Sequence, residues 1–184
     1  MTVTVADIPL FAQPFYFMRH GESEANLADT IAGSLDVALT ELGHQQAQAA
    51  AKVLKPIGIT AIYSSALKRA RDTAAHVGSA LDLPVTIIPE LAERSWGELE
   101  GQPRSGRMHG STPPGAETPQ QYMQRVLQGL AKIDAQGRPL IVAHSGVFRV
   151  LCRTLNLHEP DAPYANAQPV RVTPAGGAWQ LEPL

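Results

Sequence analysis

The sequence predicts an α/β protein, a three-layer α/β/α sandwich on a mostly parallel central sheet. Short continuous apolar runs, Phe15–Met18 and Leu140–Ala143, read as strands buried on both faces, which is how parallel strands look between two helical layers. Segments with helical spacing alternate with these runs, the pattern of crossover connections. With 184 residues, 44% of them apolar and 17% charged, the chain is long and apolar enough to bury a core around one such sheet.

Residues 1–14 read as a loose extension ahead of the first strand, Phe15–Met18. Thr40 is a candidate N-cap for a helix from Glu41 to about Lys55, where Pro56 stops it. Ala61–Tyr63 is a short strand. Ser64 and Ser65 then offer caps for a helix over about 66–80, and Val85–Ile88 is a further strand fit for a sheet edge. The stretch 90–117 holds five glycines and three prolines without periodicity, so it predicts one long loop, with a short cap over 94–117. Thr118-Pro119-Gln120-Gln121 is a capping box with Pro at the first helical position. It opens a helix carrying Tyr122, Val126, Leu130 and Ile133, closed by Gly137 and Pro139. Leu140–Ala143 is the clearest buried strand, followed by a helix over Val147–Leu157. Val170–Val172 and Ala178–Leu181 form a hairpin around Gly176-Gly177. No repeat or linker divides the chain, which predicts one domain over 1–184.

A net charge of −2 gives no global basic field, which argues against a nucleic-acid partner. The lone cysteine, Cys152, excludes an internal disulfide framework and sits in an apolar helix as an inert thiol. The first 18 residues carry no Lys or Arg, so no signal-peptide n-region is visible. The apolar stretch Ile8–Met18 is too short for a membrane span and contains Pro9 and Pro14. A cytoplasmic protein without membrane partners is the default expectation, as a monomer or homodimer.

Chemistry concentrates at strand ends. Arg19-His20-Gly21 follows the first buried strand and His144-Ser145-Gly146 follows the strand 140–143, where open α/β sheets place ligands. The glycines are expected to let a ligand approach the backbone. The helix after strand 61–63 carries Lys68, Arg69 and Arg71 in its first turn, and the flanking helix N-termini add positive potential. Two histidines and at least two arginines converging there describe an anion site, most simply a phosphate site.

Phe17-Met18-Arg19-His20-Gly21-Glu22-Ser23-Glu24-Ala25-Asn26 resembles the signature of the histidine phosphatase superfamily, which includes the cofactor-dependent phosphoglycerate mutases. Further blocks match in the family's order. They are Leu39-Thr40 with Gly43 and Gln46-Ala47; Tyr63-Ser64-Ser65 with Leu67, Arg69-Ala70 and Thr73-Ala74; Leu91, Glu93, Gly97 and Glu100-Gly101; and Pro114-Gly115 with Glu117-Thr118, then Val142–Gly146. The resemblance covers about residues 15–155 and implies a phosphoglycerate mutase-like fold. It implies His20 as nucleophile, His144 as stabiliser of transition-state charge and Glu93 as the acid that protonates the leaving oxygen and then activates water. Arg19 and Arg69 would clamp the phosphoryl oxygens, with Asn26 and Ser23 as auxiliary contacts. No metal or cofactor is implied. Residue chemistry agrees, because a neutral imidazole is a good nucleophile near neutral pH and a guanidinium fork fits phosphoryl oxygens.

Plainer readings stand beside these. Arg71 is the alternative to Arg69. Glu90, Glu98 and Glu100 are rivals of Glu93 that otherwise read as surface charge. Arg104, Arg107 and His109 could hold a second anionic group or be a solvated loop. Trp96 reads as packing under the loop rather than as a pocket wall. His44, His76 and His158 show no metal-ligand spacing. Only 12 residues, Gln102–Pro113, separate the acid block from Pro114-Gly115. Family mutases shield their phosphoenzyme with a long basic insertion and an ordered tail. The expectation is therefore a phosphomonoester hydrolase acting on a small phosphorylated metabolite. A mutase and a catalytically weak regulatory member are the alternatives. Turnover of p-nitrophenyl phosphate with EDTA present separates the regulatory reading from the other two.

Overall fold

Four strands run parallel and side by side: β1 (Phe15–Arg19), β2 (Ala61–Ser64), β3 (Val85–Ile87) and β4 (Pro139–Ala143). A hairpin, β5 (Pro169–Ala175) and β6 (Ala178–Pro183), adds antiparallel to β1, giving the order β3-β2-β4-β1-β5-β6. The computed structural model describes residues 3–107, 111–158 and 164–184. The helices are α1 (Glu24–Leu27), α2 (Glu41–Leu54), α3 (Lys68–Leu81), α4 (Pro119–Leu130) and α5 (Ser145–Thr154).

Phe15–Met18 of β1 and all of β4 are buried because both faces of the sheet are covered. Phe15, Phe17, Ile141 and Ala143 point to a core shared with Val126 and Leu130 of α4 and Val147 and Leu151 of α5. Tyr16, Met18, Leu140 and Val142 point the other way, onto Ala50 and Leu54 of α2 and Ala74 and Val77 of α3. Each fully buried Leu or Phe removed from water contributes about 1.5–3 kcal/mol before entropy. The strand order fixes which loops emerge beside one another at the carboxyl ends of β2, β4 and β1.

Several expectations need correction. The segment ahead of β1 is not loose: Ile8 and Leu10 are buried in the core, and Phe11 packs on Phe15 and Trp179. Phe11 thereby reaches the turn end of the β5–β6 hairpin, where Trp179 pairs with Pro174. α3 starts at Lys68 rather than 66, because Ser64 and Ser65 do not cap it. Ser64 Oγ donates to the Ser65 carbonyl, and Ser65 turns to His144. α4 ends at Leu130, with Ile133 buried beyond it. α5 begins at Ser145, two residues early. The capping box at Thr118 is formed as read: Gln121 N donates to Thr118 Oγ1, and Thr118 N to Gln121 Oε1.

Gly21 and Gly43 let α2 abut the loop after β1. A Cβ on Gly21 would lie 2.4 Å from the Gly43 carbonyl oxygen, and one on Gly43 would lie 2.0 Å from the Glu22 carbonyl oxygen. It is protein backbone, rather than a ligand, that needs the space at Gly21.

Candidate active site

The order β2-β4-β1 sets Ser65, His144 and His20 next to one another just past their strands. The ladder continues one step, with Ser65 N donating to the Val142 carbonyl and His20 N to the Ala143 carbonyl. The rings of His20 and His144 lie 5.2 Å apart between centroids.

His20 is buried, and its Nδ1 sits 2.7 Å from the Gly21 carbonyl oxygen. A carbonyl only accepts, so Nδ1 carries the proton and Nε2 keeps a lone pair. Burial, then the neighbouring His144, Arg69 and Arg19, push its pKa well below the ordinary histidine value. His144 is depressed in the same way, by burial first and then by Arg69 and Arg19. Ser65 Oγ accepts from Leu67 N and stands 2.7 Å from His144 Nε2, within hydrogen-bond reach. Nδ1 of His144 is buried and without a protein partner among the described residues. Burial and the two arginines favour the neutral ring, and His144 is fully buried beside His20.

Arg69 is 1% exposed, yet it lines the cleft. Its Nη1 and Nη2 each donate at 2.8 Å, to the Leu35 and Gly33 carbonyls, which anchors the loop before α2. Arg71 instead faces outward, 3.9 Å from Asp36. Arg19 lines the same cleft with a buried, unpartnered Nε. Asn26 Oδ1 is occupied by Ser23 N, Ser23 Oγ and Asn166 Nδ2, leaving its amide NH2 for the cleft. The helix N-termini expected to face an anion are already engaged: Lys68 N meets Asp36, and Gly146 N meets Glu93.

Glu93 is the carboxylate of this site. Its Oε1 accepts from Arg94 N at 2.8 Å and from the Tyr122 hydroxyl at 2.9 Å; Oε2 accepts from Gly146 N at 3.0 Å. Burial alone would raise its pKa, but these three donors and the Arg69 charge outweigh it and hold Glu93 below the ordinary value. A Cβ on Gly146 would come within 2.1 Å of Glu93 Oε1, so this glycine makes room for the carboxylate rather than for a ligand. Arg125 of α4 fastens the segment from below. It donates to the carbonyls of Glu90, Ala92 and Glu93 and forks onto both oxygens of Glu117. The rival Glu90 pairs with Lys132, and Glu100 ties Ser34 to Trp96 N, so both are structural. Tyr122 and Arg125 escaped the sequence reading because α4 shows only helical spacing there.

These groups open into a cleft of about 680 Å³ lined by seven arginines: Arg19, Arg69, Arg94, Arg104, Arg107, Arg149 and Arg153. Trp96 is buried and lines it too, with the guanidinium carbons of Arg94 and Arg107 at 4.4 and 4.1 Å from its ring centroid. Packing and walling are one role here. Arg104 and Arg107 both reach the cleft, whereas His109 lies outside the described residues. Arg149 and Arg153, which also line the cleft, were not singled out in the sequence. Elsewhere, His44 Nδ1 and His76 Nε2 meet at 2.9 Å between α2 and α3, and Cys152 is buried as expected. Among the described residues no three His, Cys, Asp or Glu side chains converge as metal ligands, and no helix is long and apolar enough to cross a membrane.

The sequence pattern of the histidine phosphatase superfamily (branch 1) matches residues 15–184. The chain belongs to the histidine phosphatase superfamily. As an enzyme of that superfamily it is 32% identical over 151 residues to the uncharacterized phosphatase PhoE of Bacillus subtilis, covering 78% of each chain. It is also 32% identical over 157 residues to a protein of Erwinia tasmaniensis named probable phosphoglycerate mutase GpmB, covering 76% of this chain and 73% of that one. Among solved histidine phosphatase structures, the alpha-ribazole phosphatase of Shigella flexneri superposes with a TM-score of 0.79 at 26% identity, covering 93% of this chain and 95% of that one. A mycobacterial glucosyl-3-phosphoglycerate phosphatase in complex with VO3 gives 0.76 at 26% identity, covering 93% and 98%.

Proposed function

We infer that the chain is a metal-independent phosphomonoesterase that works through a phosphohistidine on His20. The observation that carries this reading is the fixed tautomer of His20: Nδ1–H is held by the Gly21 carbonyl and a neutral Nε2 lone pair stands beside Arg19 and Arg69. In the first step Nε2 attacks phosphorus and the bond from phosphorus to the ester oxygen breaks. Arg19, Arg69 and the Asn26 amide hold the phosphoryl oxygens, and His144 supplies a donor where negative charge accumulates. Glu93, ionised in the free enzyme, takes up a proton from the monoanionic phosphate ester as it binds and gives it to the leaving oxygen. In the second step Glu93, again a carboxylate, takes a proton from water. The resulting hydroxide oxygen attacks phosphorus, and the P–N bond electrons return to Nε2.

Hydrolysis is favoured over mutase chemistry because the rim residues Arg104, Gln120 and Arg153 are exposed, so water has access to the phosphoenzyme. The phosphatase names of PhoE and of the two structural relatives support the same choice. Rapid acid-free quenching should trap label on His20 that is alkali-stable and acid-labile, and His20→Ala should abolish both label and turnover. Label on a serine, or substantial turnover in His20→Ala, would overturn the mechanism.

A further inference from the structure

The turn just ahead of β5 has a strained backbone. Ala167 is buried and adopts a φ of 55°, in the left-handed region that favours glycine. Strain of this kind persists where surrounding contacts enforce it. Here those contacts are made with the loop that carries His20: Ala167 N donates to the Arg19 carbonyl at 3.0 Å and to the His20 carbonyl at 3.3 Å. The turn thereby presents Asn166 to the same loop, 146 positions from His20 in sequence. Asn166 Nδ2 donates to the His20 carbonyl at 2.9 Å and to Asn26 Oδ1 at 3.3 Å.

These contacts assign both amides. The His20 carbonyl only accepts, so the Asn166 atom facing it is nitrogen. Ser23 N only donates, so the Asn26 atom 3.1 Å from it is oxygen. The Ser23 hydroxyl, 3.0 Å from the same atom, does not discriminate, because it can turn and accept. Ser23 N and Asn166 Nδ2 are therefore the two donors that hold Asn26 with its oxygen inward, and Asn166 is the one that comes from outside the loop. A flipped Asn26 would turn an oxygen toward a phosphoryl anion. Both hydrogens of the Asn166 amide are spent in its two bonds, so it has none to give a phosphoryl oxygen itself. Without Asn166, the His20 carbonyl would keep Ala167 N, and Gly21 N of the same peptide would keep Thr73 Oγ1 at 2.9 Å. Asn26 would keep one discriminating donor of two.

We propose that Asn166 is a positioning residue for phosphoryl binding: it acts through Asn26, holding that amide so that its NH2 is offered to the phosphoryl oxygens. The identity of the ligand rests on the phosphatase reading. The test is a double-mutant cycle, read in kcat/KM for p-nitrophenyl phosphate and, in parallel, in affinity for vanadate. Asn26→Ala should cost roughly 10- to 100-fold, the worth of a hydrogen bond to a charged group. Asn166→Ala should cost roughly 3- to 10-fold alone, the upper range for a neutral hydrogen bond, and almost nothing in the Asn26→Ala background. Asn166→Asp keeps the size of the side chain but sets oxygen against both acceptors, so it should cost more than Asn166→Ala. Were packing the role, the isostere would be the milder change. Gln168→Ala loosens the same turn, where Gln168 Oε1 accepts from Ala165 N, and should leave kcat/KM unchanged. If the Asn166→Ala cost persists in full in the Asn26→Ala background, if Asp is milder than Ala, or if Gln168→Ala costs as much, Asn166 merely holds the turn. The proposal then fails with the phosphatase reading intact. If the wild type binds vanadate but hydrolyses nothing, the phosphatase reading fails and the cycle in vanadate affinity decides the role of Asn166. If it does neither, both fall.

Discussion

The Tyr122 hydroxyl donates to Glu93 Oε1 at 2.9 Å, and so couples α4 to the carboxylate on the long loop. Tyr122 is itself buried, with its pKa pushed well above the ordinary value by burial first and then by Glu93, so it stays a neutral donor.

Removing that donor should move Glu93 without removing it. Glu93 sits below its ordinary pKa in the folded chain, so it contributes stability that is present above the unfolded value and lost as pH falls through the folded one. Tyr122→Phe narrows that window by raising the folded value. With p-nitrophenyl phosphate, where water attack requires ionised Glu93, the acidic limb of kcat should shift to higher pH. Stability near neutrality should drop by about 1.5–3 kcal/mol, the scale for a hydrogen bond to a charged group. A stability loss with an unmoved limb would reduce Tyr122 to packing.

Arg69 does two jobs, and Lys cannot do both. Its terminal nitrogens are tied to the Leu35 and Gly33 carbonyls while the same guanidinium faces the cleft. An ammonium lacks the planar fork. Arg69→Lys should lose roughly 1.5–3 kcal/mol of transition-state stabilisation in kcat/KM. Arg71→Lys should cost little, since Arg71 is exposed and 3.9 Å from its partner. The reverse ranking in kcat/KM would exclude Arg69 from phosphoryl binding.

Both site histidines are buried neutral, with folded pKa values well below 6.5. As pH falls below that value the unfolded chain takes up their protons first, so stability intact above about 6.5 should decline at up to ~1.4 kcal/mol per pH unit for each histidine. Glu93 adds to this only near and below 4.5, its ordinary value, because unfolded glutamate binds little proton above it. The interval between 6.5 and 4.5 therefore reports the histidines. Replacing both by Gln should flatten the midpoint of thermal unfolding across it. An unchanged slope would mean the imidazoles are already charged in the native state.

What was legible in the sequence was local. The runs at Phe15 and Leu140 name buried strands, and a histidine just past each one needs only the strand-end rule to be placed. Arg69 in the first turn of α3 is similarly close to β2. What was not legible depends on which distant elements touch. Ser65 looks like a helix cap and serves His144 across two strands. Arg125 looks like a solvated helical charge and clamps residues 33 or more positions away through the Glu90 and Ala92 carbonyls. Arg149 and Arg153 can be placed in the cleft lining only once the orientation of α5 is known. Gly21 and Gly146 were correctly placed at the site, but the space they provide is filled by Gly43 and Glu93.

Glu93→Gln gives the sharpest test of the acid. An alkoxide leaving group is strongly basic and needs a proton in the transition state; p-nitrophenolate hardly does. Gln keeps the size of the side chain but has no acidic proton. Its single oxygen can still accept from Arg94 N and Tyr122, as Oε1 does, but its NH2 then faces the Gly146 N–H, donor against donor. Some stability is lost for that reason alone, so the decisive number is a ratio between two substrates in the same folded protein. For an alkyl phosphate, kcat/KM should fall by roughly 10²–10⁴-fold, the usual worth of general acid catalysis. For p-nitrophenyl phosphate it should fall far less. The comparison belongs on kcat/KM, because Glu93 also activates the water that frees His20 and its loss slows that later step for both esters. Glu98→Gln should leave both substrates alone. Glu100→Gln should weaken the tie between Ser34 and Trp96 and lower both equally. If Glu93→Gln also lowered both equally, the carboxylate would be holding Gly146 and Tyr122 in place rather than delivering a proton.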